Sequence, residues 1–211
     1  DFVHHAGTRR KNRNAAVLLR GDTSSNGGHV IDQASLFVAA GICAAALSMT
    51  MASVWLHNRA DRFLVGGTIG MLLLGGGVIL YSVFPSDRMD IVATAFAMET
   101  GGFVAILAAA REFTNRALSP KQILGLLAAV PVVATPILAG FDGVGIAIYN
   151  FFAGAMLTAS GALYWSARSE APSSITAMTV LYGRAALSFF ACGVMLVGEG
   201  RATLGVPPDN W

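Results

Sequence analysis

Charge is scarce in this chain. Of its 211 residues only 12% are Asp, Glu, Lys or Arg, about half the fraction usual in a soluble domain. The fourteen basic and twelve acidic residues gather in short clusters between long neutral stretches. A net charge of +2 is too small to point to nucleic acid. Cysteine is nearly absent as well. Cys43 and Cys192 both lie in apolar stretches and read as buried free thiols. With no CxxC pair and no Cys/His cluster, no structural metal site is expected. The four histidines, His4, His5, His29 and His57, fall outside the apolar stretches, so no stretch carries an imidazole base. The sequence has no HExxH, no phosphate-binding glycine loop and no paired aspartates of protease type. Thr158-Ala159-Ser160-Gly161 faintly resembles a serine nucleophile motif, but its first glycine is missing and no base is at hand. Neither catalytic residues nor a cofactor are expected in this chain.

What the sequence does have is length without charge. A membrane-crossing helix needs about 20 mostly apolar residues, and mean hydropathy is +0.61. Six stretches qualify, at about 34–56, 63–84, 91–110, 123–139, 144–165 and 177–198. The expected fold is therefore all-α, a polytopic membrane helix bundle whose main partner is the lipid bilayer. Polar turns punctuate it: His57 to Arg62, Pro85 to Arg88, Arg111 to Gln122, Gly140 to Gly143 and Ser166 to Thr176. Pro131 and Pro136 interrupt the fourth stretch, which is expected to be a kinked helix. Residues 1–29 carry five basic residues among scattered Gly, Ser and Asn, and they lack a signal-peptide core. They read as a disordered or non-native extension, and residues 30–211 as the transmembrane domain. No methionine precedes Met49, so the natural start is expected near Val30.

Orientation follows the basic residues. The first, third and fifth connections hold Arg59, Arg62, Arg111, Arg116, Lys121 and Arg168, and the other side holds Arg88 and Arg201 outside the N-terminal tail. Only Arg20 of that tail lies within the range over which the rule acts. The odd connections are thus expected in the cytoplasm and both ends outside. Trp55, Tyr81, Phe84, Tyr164 and Trp165 sit at stretch ends, as interfacial aromatics do.

Charged residues within spans are costly and are the first functional candidates. Glu99 and Arg184 come to similar depth when the spans alternate, and an ion pair between them is expected. Tyr149 and Asn150 lie near the depth of Glu99; the Asn is expected to bond between helices, or both to line a small outward-facing pocket with Glu99. Glu199 and Arg201 read as solvated residues at the outer end of the sixth span. Gly66, Gly70, Gly75-Gly76-Gly77, Gly101, Gly102 and Ala105 are small residues of the kind that allow helices to approach closely. Met49 and Met51, with no His or Cys beside them, read as apolar span residues.

Several segments together carry a resemblance. They are Ile31 to Ala39, Trp55-Leu56, Arg59 to Leu64, Gly140 to Gly145, Tyr149-Asn150-Phe151, Ala171-Pro172, Ile175-Thr176, Leu181-Tyr182 and Pro208-Asp209-Asn210-Trp211. Residues 30–211 resemble the N-terminal membrane region of rhizobial-type GGDEF proteins, which are diguanylate cyclases that make cyclic di-GMP from GTP. The resemblance implies a seventh span soon after Trp211, then a cytoplasmic cyclase domain that would use GTP and Mg. It implies a sensory or anchoring role in the bacterial inner membrane, with a homodimer as a candidate assembly and an unidentified signal. No GGDEF sequence occurs in these 211 residues, so no catalysis is expected from them. A small transporter remains the alternative.

Overall fold

The computed structural model describes residues 33–84, 88–169 and 171–198. Residues 1–29, the loop at Pro85, Glu199, Arg201 and the segment from Leu204 to Trp211 lie largely or wholly outside them. The described residues form helices and turns: α1 (Gln33–His57), α2 (Arg62–Val83), α3 (Met89–Phe113), α4 (Pro120–Leu127), α5 (Ala129–Leu138), α6 (Asp142–Ser166) and α7 (Pro172–Gly198). Six spans are long and apolar enough to cross a bilayer, α4 and α5 together making the fourth.

Local sequence explains the helix ends. Ser119 and Gln122 form a reciprocal capping box, with Pro120 in the first turn, which starts α4. Asn115, at φ 56°, ends α3, and the Arg116 amide returns to the Arg111 carbonyl at 2.8 Å. Gly140, at φ 85°, closes α5 in the same manner. The fourth span is interrupted at Ala128. Pro131 lacks an N–H, and its ring crowds the carbonyl four residues back, that of Leu127, where α4 stops.

The helices pack as a chain of neighbours, α1 on α2, α2 on α3, α3 on α6 and α6 on α7. α5 wedges against both α3 and α6, whereas α4 approaches only α3 and its successor α5. α3 is the most enclosed span. In a bilayer, contact quality rather than hydrophobic transfer holds helices together, and glycine supplies it here. A Cβ on Gly70 would stand 3.0 Å from the Gly102 carbonyl, and one on Gly102 would stand 2.9 Å from that of Gly70. The glycine triplet serves two neighbours. Gly75 faces Ala44 and Gly41 of α1, while Gly76 and Gly77 face Met98 and Glu99 of α3. Gly154 seats the ring of Phe190, and Gly193 seats that of Phe151, so α6 and α7 interlock reciprocally.

Two readings of single residues change. Cys43 is free but exposed on α1, and Cys192 is only partly covered, so the thiols are not both buried. Tyr164 is buried in an inward aromatic group with Phe113 and Tyr182, not in an interfacial belt. Trp55 and Trp165 do sit at the basic end, under the guanidinium groups of Arg59 and Arg168 at 5.9 and 4.7 Å. Among the span hydroxyls, Ser48, Thr68, Thr100 and Thr158 each donate to the carbonyl four residues back, which satisfies them without a partner helix.

Candidate functional site

Two aromatic groups mark the two ends of the bundle. At the basic end Phe63, Phe113, Tyr164 and Tyr182 touch in series, with centroids 5.3 to 5.6 Å apart. Toward the other end Tyr81, Phe96, Tyr149, Phe189 and Phe103 form a second group. A carboxylate sits in this second group.

Glu99 lies on α3 and is only 7% exposed. Tyr149 of α6 donates a hydrogen bond from its hydroxyl to Glu99 Oε2. The Tyr149 ring is held edge-on by Phe96 at 4.8 Å and by Phe189 at 5.9 Å, so its hydroxyl has a fixed direction. On the other flank α2 has no side chain at Gly77. A Cβ there would meet Glu99 Cγ at 2.5 Å and the Ala95 carbonyl at 2.7 Å. One carboxylate thus ties together three helices. It bonds α6 and fills the notch that glycine leaves in α2.

Asp142, in the turn from Gly140 to Gly143, is a second buried acid. It is 3% exposed in the first turn of α6, and its Oδ1 accepts from the Gly143 amide at 2.8 Å. A carboxylate at a helix N-terminus is favoured by the unpaired amides there. Tyr81 reaches the same aromatic group through Phe96, at 5.6 Å, whose ring also meets Tyr149. The sequence signal was available only in part: Asp142 follows Gly140-Phe141, as a helix start after a turn does, but nothing local shows its burial.

The expected Glu99–Arg184 ion pair is absent. Arg184 is exposed on α7, on a stripe with Val180, Leu187 and Val194, which are 61 to 70% exposed. That stripe faces away from the rest of the bundle, because the buried positions of α7 are Ile175, Ala186, Gly193 and Leu196. Position along the helix axis does not decide which side chains meet; the rotation of α7 about its axis does. Asn150 departs from expectation as well. It is buried, yet its amide donates to the Ile146 carbonyl of its own helix at 2.8 Å and makes no interhelical bond. Of the four polar candidates, the fold brings Glu99 and Tyr149 together, leaves Asn150 beside them on its own helix, and turns Arg184 outward.

The chemistry open to this group is limited. Ser160 is fully buried with no hydrogen-bond partner, and the one histidine among the described residues, His57, is exposed at the end of α1. Among the described residues no three His, Cys, Asp or Glu side chains gather in a metal-binding cluster. A carboxyl and a phenol can exchange or hold a hydrogen bond, and they can fix the register of two helices. No family model matches the chain, and neither a curated protein nor a solved structure is similar to it.

Proposed function

We propose that residues 30–211 are the membrane sensory or anchoring region of a larger bacterial signalling protein, of the diguanylate cyclase type that the sequence resembles. The observation that supports this reading most is the position of Arg184. It lies twelve residues from Pro172 and fourteen from Gly198, about 18 Å along a helix rising 1.5 Å per residue. A guanidinium at mid-span on an apolar face is costly against hydrocarbon. The helices described here therefore call for a further element over α7, and a membrane protein with more spans meets that need.

In this reading the basic end is cytoplasmic in the inner membrane, and both ends of the segment are periplasmic. A further span covers α7 and returns the chain to the side where a domain using GTP and Mg works. A signal at the outer face or within the bilayer acts on helix packing through the Glu99–Tyr149 group. The coding frame beyond residue 211 tests the proposal. It is expected to hold an apolar stretch and then a GGDEF-type domain, and a stop codon directly after residue 211 would overturn it. A phosphatase reporter fused at residue 211 tests the orientation and is expected to be active. One observation favours a second reading, that of a small transporter: the fourth span is discontinuous at Ala128, and broken helices line transport sites.

A further inference from the structure

The interruption of the fourth span has a consequence at the basic end. α5 seats against α3 and α6, but α4 has no close backbone approach to α6. Between α3, α4 and α6 a cavity of about 650 Å³ remains. Its three walls share one polarity gradient. Arg111 on α3, Gln122 on α4 and Ser166 on α6 line it near the bundle end, while Leu107, Leu126 and Leu163 line it further in. On α3 and α4 the step from polar to apolar is four residues, about 6 Å of helix.

The arginines of this end are not equivalent. Arg59 and Arg168 stack on tryptophans, and Arg168 also donates to the Trp165 carbonyl at 3.2 Å. Arg111 instead has its Nε buried without an acceptor, and Arg116 lines the same cavity. Glu112 lines the neighbouring cleft with Asp61 and Arg62. Among the described residues neither Arg111 nor Arg116 forms an ion pair. The cavity thus offers two cations at its mouth, one with an unmet donor, above an apolar floor within the span region.

We propose that this cavity binds one anionic phospholipid, its phosphate on Arg111 and Arg116 and the start of an acyl chain over Leu107 and Leu126. The gradient favours an amphiphile over a free anion. A soluble phosphate would satisfy the guanidinium groups and leave the apolar floor uncovered. A zwitterionic lipid would fill the floor but bring its own cation to two arginines. Basic pockets between membrane helices recognise anionic headgroups by this combination.

The test uses the intact protein purified in detergent, with binding read by native mass spectrometry and by thermal unfolding. Phosphatidylglycerol is expected to bind and raise the unfolding temperature. Phosphatidylcholine and soluble glycerol phosphate at matched concentrations are expected to do neither. Arg111→Gln with Arg116→Gln is expected to weaken phosphatidylglycerol binding by roughly thirty-fold, about five-fold for each basic residue near the headgroup. Gly125→Leu provides a variant that does not disturb charge. Gly125 lines the cavity, and a Cβ there meets no atom within 4 Å, so the new side chain fills space while helix propensity improves. It is expected to keep the fold and lose the lipid. Equal binding of phosphatidylcholine, an equal effect of glycerol phosphate, or unchanged phosphatidylglycerol binding in both variants would overturn the proposal.

Discussion

Tyr149 on α6 donates its hydroxyl to the carboxylate of Glu99 on α3, joining two spans at positions fifty residues apart. The pair is fixed from three sides. Aromatic rings hold the phenol, and Gly77 makes room for the carboxylate. This contact links the α1–α2–α3 half of the bundle to the α6–α7 half through side-chain chemistry as well as packing.

Tyr149→Phe keeps the ring and removes the donor, so it isolates the hydrogen bond. The expected loss is about 1 kcal/mol of stability in detergent, the scale of interhelical bonds in membranes. Glu99→Gln keeps an acceptor and is expected to cost less than Glu99→Leu. A double-mutant cycle of Tyr149→Phe and Glu99→Leu, each of which removes the hydrogen bond, is the measurement, and purely additive effects would contradict the contact.

Exchanging the two span charges discriminates the observed arrangement from the one expected from depth alone. Because Arg184 faces outward, Glu99→Arg combined with Arg184→Glu is expected to express as poorly as Glu99→Arg alone. Rescue by the double exchange would show that the two side chains meet.

Glycine substitutions are expected to split by location. Gly77→Ala places a methyl 2.5 Å from Glu99 Cγ and is expected to cost about 1–3 kcal/mol, as overpacking does. Gly183→Ala meets nothing within 4 Å and is expected to be neutral or stabilising by up to about 1 kcal/mol, because alanine is the better helix former. Thermal unfolding of the two variants side by side measures the difference.

Pro131→Ala restores an N–H opposite the Leu127 carbonyl. The fourth span is then expected to run continuously through Ala128, changing the separation of α4 from α6. Spin labels at Lys121 and Arg168, with Cys43 and Cys192 replaced by serine, report that separation. An unchanged distance distribution would show that the interruption has another cause.

The sequence by itself determined the class and count of the spans. Hydrocarbon excludes charge and unpaired backbone over a fixed thickness, and that constraint is written in runs of about 20 residues. It also marked the polar turns, and Arg111 to Gln122 and Gly140 to Gly143 contain the end of α3 and the start of α6. The roles of the span glycines were legible as close packing, although not which neighbour each one faced. The candidate site was legible only as a set of depths. Glu99 and Tyr149 came out near one another because depth counts along the axis, and Arg184 failed for the same reason. Helix rotation is set by which faces interlock, here Gly154 with Phe190 and Gly193 with Phe151, and that choice turns Arg184 outward. Asp142 went unnoticed because its burial depends on helices distant in sequence. The chain's own chemistry dictated that it crosses the membrane; only the packing of α3, α6 and α7 decided which of its polar residues share a site.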